Sequence, residues 1–311
     1  MSELLSLGRK LEKMVHHNNC PLCKAAETGP FLTCTDNLVS REKFHLFKCT
    51  RCSFIFTNDY PGESDSALYY ESDEYISHTD SQKLLFEKIY RQARNIMLGR
   101  KRKVVSKASG LTAGNILDIG CGTGHFLNEM KQSGWKTTGV EINRKAREYA
   151  SENFNLNVIP PSEIISLPDR TFDSVTLWHA LEHLHDPYEW FGAIKRLLKT
   201  GGKVIVALPN CLSFDAAHYG SEWAAWDVPR HLWHFSPETF DLFIRKAGFK
   251  TTGMKVLPFD VYYISILSEK HKGSSFPEMK GILTGFLYSL LSFFRPGRSS
   301  SLIYLLESAS D

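Results

Sequence analysis

The chain's 311 residues carry a length prior of about two domains at ~150 residues each, enough to bury a full core without disulfides or metal. Charged residues make up 23% and apolar residues 42%, which excludes a chain disordered throughout. The net charge of +3 is too small to argue for nucleic acid without a local patch.

No stretch reaches ~18 consecutive apolar residues. The N-terminus MSELLSLGRKLEKM has neither a continuous apolar core nor a small-residue cleavage site, so the reading is a cytoplasmic protein. Seven cysteines, an odd number, include two CxxC pairs and read as reduced thiolates rather than a disulfide framework.

Residues 1–60 read as a small zinc-ribbon module. Cys20-Pro-Leu-Cys23 and Cys49-Thr-Arg-Cys52 are two knuckles, and two such pairs complete a four-thiolate shell for one tetrahedral, structural Zn2+ with no open position. Redox dithiols fit poorly, because each would need its own helix-borne setting. FHLFKC and FIFTN look like hairpin strands that bring the knuckles together, with Cys34 and His45 as ordinary side chains.

Residues 61–105 read as a linker followed by a helix. Residues 61–80 are acidic and tyrosine-rich, a loop that wraps a neighbour, and Leu85, Ile89, Ala93, Ile96 and Met97 then recur at helical spacing.

From about 106 to 311 apolar strands alternate with helices, as a doubly wound parallel sheet requires. The expected order is NILDIG; a helix His125–Ser133; WKTTGVEI; a helix Asn143–Asn153; NVIP; and FDSVTLW. A helix N-capped by Asp186, with Pro187 first and Glu189 completing a capping box, should run to Gly201-Gly202. KVIVALP, a helix from Ser236-Pro237 to Gly248 and the strand KTTGMKVL follow. An insertion at about 268–298 precedes a last strand in SSSLIYLLE.

The most informative segment is Asp118-Ile119-Gly120-Cys121-Gly122-Thr123-Gly124. A strand runs into alternating glycines and then a helix, whose free N–H groups suit an anionic ligand group. The dinucleotide fingerprint fails, because His125 stands where its third glycine would be, and no Gly-Lys-Ser/Thr follows to make a P-loop. Glu141, seventeen positions after Gly124 at the end of the second strand, can accept both hydroxyls of a ribose.

In order and spacing, ILDIGCGTGHFL, VEIN, FDSVTLWHALEHL and LLKTGGKVIVALPN resemble the class I S-adenosylmethionine-dependent methyltransferases over about residues 112–265. The resemblance implies a Rossmann-like seven-stranded sheet with helices on both faces, and the cofactor across the carboxyl ends of the first strands. It implies that Asp118 holds the methionine ammonium, that Gly120, Cys121, Gly122 and Gly124 line the methionine and ribose portion, and that Glu141 grips the ribose. Ile142 and Trp178 flank that site. The family's acidic residue after the third strand is replaced here by Ile159-Pro160-Pro161-Ser162-Glu163, so Ser162, Glu163 or a backbone carbonyl meets the adenine amine. The cysteine module is similar to zinc-binding modules found before both small-molecule and ribosomal-RNA methyltransferases.

If the acceptor is a hydroxyl or amine, a base must remove a proton, and histidine is the usual candidate. One cluster, Trp178-His179-Ala180-Leu181-Glu182-His183, ends the fourth strand. The other, YGSEWAAWDVPRHLWHF, should wall the acceptor pocket, with His231 or His179 as base, Asp227 orienting a histidine or binding an acceptor hydroxyl, and Arg230 holding an anionic group. There is no Asn/Asp-Pro-Pro-aromatic signature like that of base-amine methyltransferases and no Pro-Cys nucleophile loop.

Three functions compete. The first is methyl transfer to a small hydroxylated or phenolic metabolite, sugar or lipid-like acceptor. The apolar segment Ile282–Phe294 then serves as lid, peripheral membrane contact or dimer contact, unless it merely packs on the sheet. The second is an RNA methyltransferase tracking phosphates with Arg91–Lys107, which has seven basic residues and no acidic one, although the neighbouring acidic loop would repel RNA. The third is a cofactor-binding interaction protein without catalysis, against which the intact glycine loop and Glu141 argue. The first is preferred.

Overall fold

The computed structural model describes residues 14–70 and 84–309. In the N-terminal module, β2 (Thr28–Thr35), β3 (Lys43–Cys49) and β4 (Ile55–Asn58) form an antiparallel meander, and β1 (Met14–Val15) pairs with β5 (Tyr60–Pro61). β3 alternates as half-buried strands do, with Phe44 and Leu46 inside and Lys43 and His45 outside. Of the acidic, tyrosine-rich stretch, Pro61 ends β5, residues 63–70 form short helical turns and 71–80 lie outside the described residues.

The second unit opens with α1 (Leu84–Ser109). β6 (Asn115–Ile119), α2 (His125–Gln132), β7 (Lys136–Val140), α3 (Arg144–Phe154), β8 (Asn157–Ile159) and β9 (Phe172–Trp178) follow the sequence expectation closely. The helix capped by Asp186, α4 (Pro187–Leu197), stops four residues before Gly201. Leu198 is already extended and pairs with Phe172, so strand β10 (Leu198–Pro209) claims the residues that had looked helical. Next come α5 (Phe214–Tyr219), β11 (Trp233–His234), α6 (Pro237–Lys246) and β12 (Phe249–Val256). The chain closes with α7 (Asp260–His271), α8 (Pro277–Phe294) and β13 (Ser301–Ser308).

The large sheet has seven strands in the order β12-β13-β10-β9-β6-β7-β8, with β13 antiparallel to both its neighbours and the pairs from β10 to β8 parallel. This is the seven-stranded Rossmann-like architecture expected of the chain. Chain order reverses between β6 and β9, so a crevice opens beyond the carboxyl ends of those two strands.

The inserted helices form a hairpin that begins at Asp260, earlier than the expected 268. Gly281 and Gly285, one turn apart on α8, let it press on α7: a Cβ at Gly281 would lie 2.4 Å from the Ile266 Cα. The helix therefore packs on α7 and not on the sheet. Its other face is open, with Leu283, Phe286, Phe293 and Phe294 all exposed.

The two units share a seam that sequence periodicity did not announce. β11 pairs antiparallel with β4, so two residues of the second unit complete the module's sheet. Trp233 stacks on Phe54, and the Thr57 hydroxyl donates to the His231 carbonyl at 2.7 Å. The aromatic loop is thus core: Trp223, Trp226 and Trp233 are buried beside Phe44, Leu46 and Ile55 or Phe54 and Phe56, instead of facing an open acceptor pocket.

Candidate active site

The glycine turn after β6 needs three glycines for three reasons. Gly120, Gly122 and Gly124 all adopt left-handed backbone conformations, which cost an L-residue ~1–2 kcal/mol each. At Gly120 a Cβ would meet the Ala180 Cβ at 2.6 Å, and at Gly124 it would meet Leu156 and Ala150 under 3 Å. At Gly122 it would meet nothing within 4 Å, because that residue faces the crevice. The first and third let helix and neighbouring turns close in; the second keeps the crevice clear.

Glu141 ties this turn to the second strand. Its Oε2 accepts from the Gly122 N–H and its Oε1 from the Asn143 N–H, both at 2.8 Å, which points one carboxylate along the crevice wall. Ile142 beside it is 67% exposed, an apolar side chain with no core to cover it. Ser162 and Glu163 sit on the short helical turn Pro161–Ser166 after β8. Cys121 is buried at the floor, with its thiol against Gly139.

Asp118 is buried at the tip of β6 and accepts from the Thr176 hydroxyl at 2.6 Å. Burial lifts its pKa to about 7, against the pull of that hydroxyl and of Lys101. Lys101 was hidden in a helix read as a basic outer face. It lies one turn from both Met97 and Val105, which pack into the core, and its ammonium sits 4.6 Å from the Trp178 ring centre. Burial pushes its pKa down while Asp260 and Asp118 resist. A cation on an apolar stripe was the available signal. Trp178 keeps a buried indole N–H with no partner.

His179 follows β9 directly, in a left-handed conformation. Its Nε2 lies 2.9 Å from Asp260, which the sequence did not single out, and its Nδ1 lies 3.4 Å from Glu182. Burial presses the imidazole towards neutrality, but the two carboxylates outweigh it and raise the pKa to about 9.

The other histidine cluster meets this dyad through Glu182, whose carboxylate lies within 4.8 Å of ligand atoms of His183 and His231. His231 is 9% exposed, with Nδ1 bonded to the Ala225 carbonyl at 2.9 Å. Asp227 and Arg230 serve the seam. The Arg230 guanidinium, buried, donates to Asp36 at 2.9 Å, to Asp227 at 2.6 Å and to the Tyr69 carbonyl at 3.0 Å. Its donors are committed to protein groups, which leaves no fork for an anionic acceptor. Despite burial, Arg230 holds the Asp227 carboxyl down at about 2.

In the module, the Sγ atoms of Cys20 and Cys52, and those of Cys23 and Cys49, are 3.6 Å apart, and all four lie within 4.8 Å of one another. A tetrahedral ion with ~2.3 Å bonds would set thiolates ~3.8 Å apart, so this donor set fits zinc. The knuckles are matched. In each, the residue after the second cysteine is left-handed (Lys24 and Ser53), and its N–H returns to the first cysteine's carbonyl at 2.9 Å.

Part of the basic helix face has partners within the protein. Arg94 meets His125, Arg100 lies over the Phe259 ring, Lys101 turns inward and Arg102 pairs with Glu129 at 2.8 Å. Arg100, Lys103 and Lys107 remain exposed on the helix.

These features match what comparison with known proteins finds. A family model described as a methyltransferase domain matches residues 89–252. Two ubiquinone biosynthesis O-methyltransferases, from Alkalilimnicola ehrlichii and Bordetella avium, are each 30% identical, over 164 and 166 residues. Each match spans 49% of this chain, and 66% and 69% of those proteins respectively. Geranyl diphosphate C-methyltransferase from Streptomyces coelicolor, solved with Mg2+, geranyl diphosphate and S-adenosyl-L-homocysteine, has a TM-score of 0.50 at 13% identity. That match covers 76% of this chain and 86% of the other, and it speaks to the fold alone. Fold and crevice together define a class I S-adenosylmethionine-dependent methyltransferase. The chain belongs to the methyltransferase domain family.

Proposed function

We propose that this enzyme methylates a hydroxyl of a small phenolic or lipid-like acceptor, with His179 handling the proton. The observation that carries this reading is the His179–Asp260 pair at the tip of β9, beside Asp118 and the crevice. The relatives named for ubiquinone biosynthesis supply the substrate class. When bound, S-adenosylmethionine supplies an activated methyl group on a sulfonium. Asp118 would hold its ammonium, Glu141 its ribose hydroxyls, and Gly120, Gly122 and Gly124 the turn around it. Cys121, Ile142 and Trp178 would line it, with Ser162 or Glu163 at the adenine. Asp260 holds Nε2 of His179 and Glu182 faces its Nδ1, so the ring is fixed at the tip of β9 and a proton it takes up is stabilised by both carboxylates. Because methyl transfer is an in-line displacement, most of the protein's contribution is orientation.

The raised pKa of Asp118 gives the cofactor assignment a pH signature. An ammonium needs the ionised carboxylate, which the free protein loses below about 7. Affinity for S-adenosylmethionine should therefore fall about tenfold per pH unit below that point. Lys101 and Glu141 also face this carboxyl, the first lowering its pKa and the second raising it. Asp118→Asn should bind ~10–100-fold more weakly at pH 8 and lose the pH slope, as titration calorimetry would show. A slope unchanged in the variant would move the ammonium elsewhere. Transfer of labelled methyl from S-adenosylmethionine into a polyprenyl catechol, but not into bulk RNA, tests the substrate class; label in RNA alone would overturn it.

The same reading places structural zinc on Cys20, Cys23, Cys49 and Cys52. It also keeps a division of the chain near residues 60 and 105, with β11 crossing it, and a cytoplasmic location. All seven cysteines are unpaired, and no helix among the described residues is long and apolar enough to cross a membrane. The open face of α8, with Lys280 and Arg295 at its ends, suits contact with an anionic lipid surface that would hold such an acceptor. Co-sedimentation with phosphatidylglycerol vesicles, weakened at least tenfold by a Phe293→Asp, Phe294→Asp double substitution, is expected. Unchanged vesicle binding, or concentration-dependent dimers in its place, would contradict that contact.

A further inference from the structure

Three acceptor groups converge at the seam with no donor among them. Glu182 is 1% exposed, yet neither of its carboxylate oxygens makes a hydrogen bond. Among the described residues its one neighbouring donor is the His179 Nδ1 at a long 3.4 Å, on a ring whose Nε2 is held by Asp260 at 2.9 Å. Ligand atoms of Glu182, His183 and His231 all lie within 4.8 Å of one another.

Both rings are held from behind through Nδ1. His183 Nδ1 lies 3.1 Å from the Arg230 carbonyl and His231 Nδ1 lies 2.9 Å from the Ala225 carbonyl. A carbonyl can only accept, so His231 Nδ1 carries the proton and its Nε2 keeps its lone pair, and the Arg230 carbonyl favours the same tautomer in His183. The Tyr70 hydroxyl oxygen lies 3.0 Å from the same nitrogen and, in this tautomer, shares its N–H as a second acceptor. Backbone carbonyls behind ligating imidazoles are the arrangement that orients metal-binding histidines. Two lone pairs and a carboxylate facing one another, without a donor, call for a cation.

The surrounding charge agrees. Arg230 acts on His183, but it is shared between Asp36 and Asp227, two carboxylates for one guanidinium. Asp227 Oδ2 lies 3.9 Å from His231 Nε2, while its Oδ1 takes both bonds from Arg230. A fourth oxygen is therefore within a side-chain rotation of the cluster.

We propose that Glu182, His183 and His231 form a second metal site, distinct from the four cysteines, that takes one borderline first-row dication such as Zn2+ or Co2+. Two imidazoles and a carboxylate are a donor set such ions accept at ~2.0–2.2 Å. The ion would pin the aromatic loop, through His231, to the turn after β9, through Glu182 and His183. The inference does not depend on which acceptor is methylated, and its test needs no turnover.

The full chain, loaded with excess Zn2+ and then desalted, should hold two zinc ions per molecule by elemental mass spectrometry. Glu182→Gln and Cys49→Ser should each hold one. With Co2+, the thiolate site gives strong sulfur-to-metal charge transfer, whereas the nitrogen and oxygen site gives only weak visible bands. Glu182→Gln should lose the weak bands and keep the charge transfer. One zinc in the wild type with only the thiolate spectrum, or two in Glu182→Gln, overturns the site. Should Glu182→Gln fail to fold, His183→Gln replaces it, and the wild-type spectrum decides by itself.

Discussion

Replacing Arg230 with methionine is expected to destabilise the protein by ~3–5 kcal/mol, because it leaves two buried or half-buried carboxylates without their cation. Asp36 is fully buried and stays ionised with help from Arg230; its burial alone would raise its pKa, and the arginine and nearby N–H groups pull it down. Asp36 also accepts from the N–H groups of Leu38, Val39 and Ser40, so its turn is prebuilt and cannot swing away to find water. The pairing links a turn of the N-terminal module to a loop nearly two hundred residues later. Chemical denaturation should show the loss. The double variant with Asp36→Asn should be less damaged than the sum of the singles, since only the half-buried Asp227 is then left without its cation. Additive losses would mean that the pair does not hold the seam.

For His179, substitution by asparagine should lower kcat by ~10²–10⁴-fold, the usual range for a positioned proton-transfer group. Asparagine tolerates the left-handed conformation at this position, so the backbone should keep its course. Affinity for S-adenosylmethionine should be unchanged, because no cofactor role falls on this side chain. Asp260→Asn should give a smaller kcat loss, since it disturbs the ring's orientation and leaves the imidazole in place. A kcat within twofold of wild type in His179→Asn would remove the residue from the mechanism.

Local signals in the sequence were reliable where local chemistry decides the structure. The alternating glycines after Asp118 pointed to the crevice, since each occupies a conformation or a closeness that a side chain forbids. Asp186, Ser236 and Asn143 cap helices through their own side chains, and all can be read a few residues at a time. Two matched cysteine knuckles were legible for the same reason.

What escaped was decided across long separations. β11 is two residues long and has no period to detect; only its partner β4, far away in the chain, makes it a strand. The tryptophans and Arg230 carried functional-looking chemistry but were claimed by the seam, where a small module must bury its sheet against something. Asp260 and Lys101 reached the crevice from elements outside the glycine and histidine motifs. Lys101 broke an apolar stripe, and that irregularity was the one trace it left. The end of α4 was misplaced because Gly201-Gly202 belongs to a bulged entry into β10 rather than to a helix stop.

Every functional role assigned above requires the crevice between β6 and β9 to be shaped for an adenosyl sulfonium. Titrating the purified full chain with S-adenosylhomocysteine at pH 8 in a calorimeter measures this most directly. One equivalent should bind with clear heat, and Glu141→Ala should weaken it at least tenfold. No heat in the wild type, with the chain shown folded by its unfolding transition, would contradict the assignment.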